Sequence, residues 1–119
     1  MTTRLGGHLS MTKHTRGDVI VIALDGSLDS GTAPQVQADL TELARNGTPV
    51  LIDMSRMSYM SSAGLRVLLL MYREAEQAGS RLALAGVPPD TYVVMAATGF
   101  LHFFTVAETI DDGITVLTT

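Results

Sequence analysis

The chain is 119 residues long, room for one compact domain and not two. With 46% apolar and 17% charged residues it is too apolar for disorder and ample for one core. Eight Lys and Arg against twelve Asp and Glu give a net charge of −4, without the basic stripe a nucleic-acid surface needs.

Residues 1–10 read as a loose N-terminal leader, with Met11 as an alternative start, and 11–119 as a single domain. Leu5, Leu9 and Met11 hint at a period-2 edge strand over 4–15, closed by a turn at Arg16-Gly17-Asp18. Val19–Leu24 is short, apolar and rich in β-branched residues, the mark of a strand buried on both faces. Asp25–Asp29 stops it. Thr32 or Ser30 can cap the helix that follows, and Pro34 suits its first turn. Val36, Leu40, Leu43 and Ala44 form its buried face, while Gln35, Gln37, Asp39 and Glu42 face water. Asn46-Gly47 ends it through a left-handed residue.

Pro49–Asp53 reads as a second buried strand and Met54–Met60 as a connecting loop. A long amphipathic helix then starts near Ser61, with Leu65, Leu68, Leu69 and Tyr72 as its apolar stripe and Gly79 as its stop. Arg81–Ala85 is predicted as a third strand, and Pro89 opens a helix through Val93, Val94, Ala96 and Ala97. Leu101–Val106 reads as a fourth core strand and Asp111–Leu117 as a closing helix. This alternation predicts an α/β fold: a small mixed β-sheet of four to five strands with helices packed on it. Helices on one face alone would leave Val19–Leu24 half bare, so either a helix crosses the other face or neighbours and a partner cover it.

The absence of cysteine excludes disulfides, thiolate zinc sites and iron–sulfur clusters, and fits a reducing compartment. His8, His14 and His102 stand too far apart to share a short ligand loop, so neither a metal nor a cofactor is expected. The aspartates at 25, 29, 53, 111 and 112 read as turn and cap residues. The longest apolar runs, Val19–Leu24 and Val67–Tyr72, fall short of the roughly 18 residues of a membrane span. A cytoplasmic protein is expected. Ser61-Ser62-Ala63-Gly64 is half of a nucleophile elbow, but the leading glycine is missing and no histidine is near in sequence. No enzyme is expected, although a serine hydrolase would place its nucleophile there.

One segment remains: Asp53 through Leu65, in which a strand, a linking stretch and a Ser61-Ser62-Ala63-Gly64-Leu65 run open a long helix. A serine there can be an N-cap, worth about 1 kcal/mol. The same geometry would also accept a phosphoryl group, because helix N-termini stabilise anions. The segment resembles the signature of the STAS domain, the family of bacterial anti-sigma factor antagonists. Gly26-Ser27-Leu28-Asp29 is similar to that family's Gly-x-Leu-Asp turn, and Pro89 to Thr98-Gly99-Phe100 to its late Pro…Ser/Thr-Gly-Leu helix. The likeness spans about residues 10–117.

The resemblance implies a STAS-like fold and puts the phosphoacceptor at Ser62, with Ser61 as a rival because it stands where most members carry Asp. It implies a partner-binding surface of Asp29, Ser61, Ser62, Ala63, Gly64 and Arg66. The implied partner is an ATP-dependent anti-sigma serine kinase of the GHKL type, with a PP2C-type phosphatase to reset the switch; neither nucleic acid nor membrane is implied. The substitution of Ser61 for Asp also suits an unphosphorylated STAS scaffold within a transporter or a stress-sensing assembly.

Overall fold

The computed structural model describes residues 2–4 and 9–119. Among the described residues six strands form one sheet in the order of the chain: β1 (Thr2–Arg4), β2 (Leu9–Arg16), β3 (Val19–Leu28), β4 (Val50–Met60), β5 (Leu82–Ala85) and β6 (Thr105–Ala107). β1, β2 and β3 pair antiparallel; β3 to β6 run parallel. The expected mixed sheet is present, with one strand more than the larger count. Thr2–Arg4 and Leu9–Ser10 are strand residues where a loose leader was expected, because Thr2–Arg4 pairs with Ser10–Thr12. β2 is therefore interior to β1 rather than the edge. Leu5 and His8, read above as an apolar position and as a histidine too far from the other two to share a ligand loop, lie outside the described residues.

The described residues also form four helices: α1 (Ala33–Arg45), α2 (Ser62–Gln77), α3 (Pro89–Ala97) and α4 (Ile110–Thr118). α1 buries the expected Val36, Leu40, Leu43 and Ala44. Gly47 and Gly79, with φ of 78° and 70°, turn the chain after α1 and α2. On α2 the buried stripe is rotated from the expected one: Leu65, Val67, Leu68, Met71 and Ala75 are buried, while Leu69 and Tyr72 are half-buried. These two helices cover one face of the sheet over Ile22, Leu24, Ile52 and Leu84. α4 crosses the opposite face, where Leu117, with Ile110 and Ile114 beside it, packs on Val19, Val21, Leu51, Ala83 and Ala85. The apolar run of β3 thus has the second cover that its composition demanded.

Three expectations are corrected. Met54–Met60 is not a loop: β4 runs on to Met60 alongside Asp25–Leu28 of β3, through two register shifts. Met54 and Met57 point into the main core, which repays a strand at positions that read locally as a linker. Leu101–Val106 is not one strand: Phe100–Phe103 is a 3₁₀ turn and β6 starts only at Thr105. There Phe103 and Phe104 pack on Tyr72 at centroid distances of 5.7 and 5.8 Å, an aromatic contact that outweighs strand extension. Finally, α3 buries Met95 alone, leaving Val93 and Val94, named as its apolar residues, exposed.

Candidate functional site

Two neighbouring parallel strands, each followed by a helix, put both helix N-termini at the same end of the sheet. β3 leads to α1 and β4 to α2, so the Asp29 turn and the Ser61–Gly64 run meet there. The junction is tied by backbone: Ser61 N–H donates to the Leu28 carbonyl at 2.9 Å.

Ser61 is the N-cap of α2. Its backbone is extended (φ −85°, ψ 176°), and its Oγ accepts from Gly64 N–H at 3.3 Å. Ser62 is the first helical residue and its side chain is exposed. The two rival hydroxyls therefore differ in kind: one is half-buried and engaged by the helix backbone, the other opens to solvent. Ala63 is half-buried and Gly64 buried. A Cβ on Gly64 would lie 2.7 Å from the Leu28 carbonyl oxygen, 2.8 Å from Met60 Cγ and 2.9 Å from Leu28 Cγ. The glycine is what lets the start of α2 press onto the ends of β3 and β4.

Asp29 belongs to the other helix. Its Oδ1 accepts from Gly31 N–H at 2.9 Å and Thr32 N–H at 3.3 Å, holding the turn into α1. Thr32, almost fully buried, completes the turn: its hydroxyl accepts from Asp29 N–H and donates to the Ser27 carbonyl, both at 3.0 Å. Asp29 thus shapes the rim as a structural carboxylate. Between the two helices runs a groove of about 350 Å³ lined by Ser30, Ala33, Pro34 and Gln37 from the α1 side and Ser62, Ala63, Arg66 and Val67 from α2. Ser62, Ala63 and Arg66 are brought together in it. Ser61, Gly64 and Asp29 build its rim without lining it.

Sequence reasoning treated Ser30 and Pro34 as helix-start residues and Gln37 as solvated, and so missed the far wall. The available signal was that each of the two apolar strand runs is followed by a helix; when such strands pair in parallel, as β3 and β4 do, their helix starts must come together. On the outer side of the rim, Ser27 and Ser58 hydroxyls lie 3.3 Å apart, Arg56 sits 3.9 Å from Asp25, and Tyr59 is 57% exposed.

Two further aspartates have structural partners, one local and one distant in sequence. Asp53 Oδ1 accepts from Ser55 N–H at 3.0 Å, and Asp111 pairs with Arg16 at 3.0 Å. Among the described residues no three His, Cys, Asp or Glu side chains gather to hold a metal, and no helix is long and apolar enough to cross a membrane. His14 and His102 are exposed, on β2 and in the 3₁₀ turn, and neither hydrogen-bonds Ser61 or Ser62.

The model of the STAS domain family matches residues 10–113. BtrV of Bordetella bronchiseptica is 33% identical over 101 residues, covering 84% of this chain and 87% of that one. The anti-sigma-B factor antagonist of Listeria monocytogenes is 32% identical over 83 residues, 69% of this chain and 73% of that one. Among solved structures, the Bacillus cell fate determinant SpoIIAA in its phosphorylated form superposes with a TM-score of 0.69 at 24% identity, covering 88% of this chain and 96% of that one.

Proposed function

The chain belongs to the STAS domain family, and from that premise we propose that it is an anti-sigma factor antagonist, a binding protein and not an enzyme, switched by phosphorylation of Ser62. Unphosphorylated, the rim of Asp29, Ser61, Ser62, Ala63, Gly64 and Arg66 docks an ATP-binding anti-sigma kinase in the cytoplasm and frees the sigma factor that kinase held. The observation that carries this is the division of labour at the start of α2: Ser61 spends its hydroxyl on Gly64 N–H, while the next residue offers an exposed one.

In the transfer step the Ser62 Oγ–P bond forms and the bond from the γ-phosphorus of ATP to ADP breaks. The hydroxyl proton passes to a base on the kinase. The product carries about −1.5 to −2 of new charge at the docking surface. A loss of about 4 kcal/mol there weakens binding roughly a thousandfold. A PP2C-type phosphatase would restore the hydroxyl. Neither a cofactor nor nucleic acid enters this reading.

The test mixes the purified chain with its cognate kinase. ADP should give a stable complex; ATP should give one added phosphate by intact mass, mapped to Ser62, and release. No phosphate with ATP together with no complex in ADP overturns the reading. The neutral Ser61 cap favours a second reading, an unphosphorylated scaffold subunit of a transporter or stress-sensing assembly. Equal partner binding by Ser62→Ala and Ser62→Asp would favour that scaffold over the switch.

A further inference from the structure

We infer that Arg66 is the internal counter-charge of the switch: when Ser62 carries a phosphoryl group, the Arg66 guanidinium binds it along the α2 wall of the groove, so that the phosphate is held by its own helix. The inference rests on reading Ser62 as the phosphoacceptor and names what that site does with its new charge.

Three observations support it. Ser62 and Arg66 line the same groove, and Arg66 is the one charged residue among the eight that do. Their spacing is i to i+4 on α2, which puts the two side chains on one helical face. The Arg66 side chain is exposed and makes no ion pair among the described residues.

The chemistry favours closure. An anion N-terminal to a cation at this spacing is the better order, since it also suits the helix dipole. A guanidinium can take two phosphate oxygens at once, a stronger and more directional contact than a point charge makes. The facing wall, Ser30, Ala33, Pro34 and Gln37, supplies no carboxylate to compete for the guanidinium. Asp29, the acid of this rim, has its Oδ1 committed to the Gly31 and Thr32 amides. Phosphorylation then does two things together: it adds an anion, and it withdraws the one cation that the groove had offered a partner.

The test does not need the kinase. Phosphoserine is installed genetically at position 62 in the full chain, and its second ionisation is followed by ³¹P NMR around its ordinary value near pH 6. The midpoint in the Arg66-containing protein should lie about 0.5 pH unit below that of the Arg66→Gln variant. The gap should shrink in about 1 M salt. Arg66→Lys should recover part of the difference but not all. Equal midpoints with Arg66 and with Arg66→Gln overturn the inference. Because the phosphate is placed by design, that result leaves the Proposed function standing. Failure of the kinase to modify Ser62 would sink the Proposed function without touching the ion pair.

Discussion

Gly64→Ala puts the close approach of α2 to a direct trial. Taken locally, the change should help, since alanine in a helix is favoured over glycine by about 1 kcal/mol. The backbone at this position is not left-handed, so no conformational strain opposes it. Packing opposes it instead. The new Cβ would lie 2.7 Å from the Leu28 carbonyl oxygen, where ordinary contact begins at 3.4 Å, so something must retreat by about 0.7 Å. Met60 is half-buried and its side chain can swing away. Leu28 cannot: it is fully buried, and its carbonyl accepts from Ser61 N–H at 2.9 Å. The start of α2 must therefore lift, stretching that bond. With a backbone oxygen as the obstacle, overpacking costs about 2–3 kcal/mol, the upper part of its usual range, which leaves a net loss of about 1–2 kcal/mol after the helical gain. For a domain of this size that corresponds to a fall in Tm of about 4–8 °C. Urea unfolding followed by circular dichroism, with calorimetry, measures both. A Gly64→Ala protein as stable as the parent or more so would refute the reasoning, because propensity would then have met no steric opposition.

Two further outcomes follow from the same geometry. Ser61→Ala should lower stability by about 1 kcal/mol through loss of the cap, whereas Ser62→Ala should change it little; equal losses in paired urea titrations would mean that the two hydroxyls have been given the wrong roles. At the far end of the helices, Arg45 binds Glu74 at 2.9 and 3.4 Å, and the guanidinium hydrogen bond with its charge holds the Glu74 carboxyl below its ordinary 4.5. A depressed carboxyl stabilises the fold above its unfolded value and loses that contribution as pH falls through its folded value. The stability gap between the parent and Arg45→Met, measured by urea unfolding, should therefore be present at neutral pH and close progressively below pH 4.5; a gap that widened in acid would contradict the sign.

Local pattern determined a good deal of this protein. The helical spacing of Val36, Leu40, Leu43 and Ala44, and the unbroken apolar run of Val19–Leu24, report burial directly, because a residue's need to leave water is written in its own chemistry. The demand for cover on both faces of the sheet followed from that run alone; that a helix rather than a partner supplies the second cover is decided by α4. Other features were decided between distant parts of the chain. Met54–Met60, with two serines and an arginine among its methionines, reads as a linker by itself; it becomes strand because Asp25–Leu28 lies alongside to accept its backbone, with Met54 and Met57 turned inward. The rotation of the α2 stripe, the 3₁₀ turn beneath Tyr72 and the outward valines of α3 likewise depend on what each side chain meets. So does the choice between two adjacent serines: their local chemistry is the same, and only the way α2 is seated on Leu28 makes one a cap and leaves the other open to solvent.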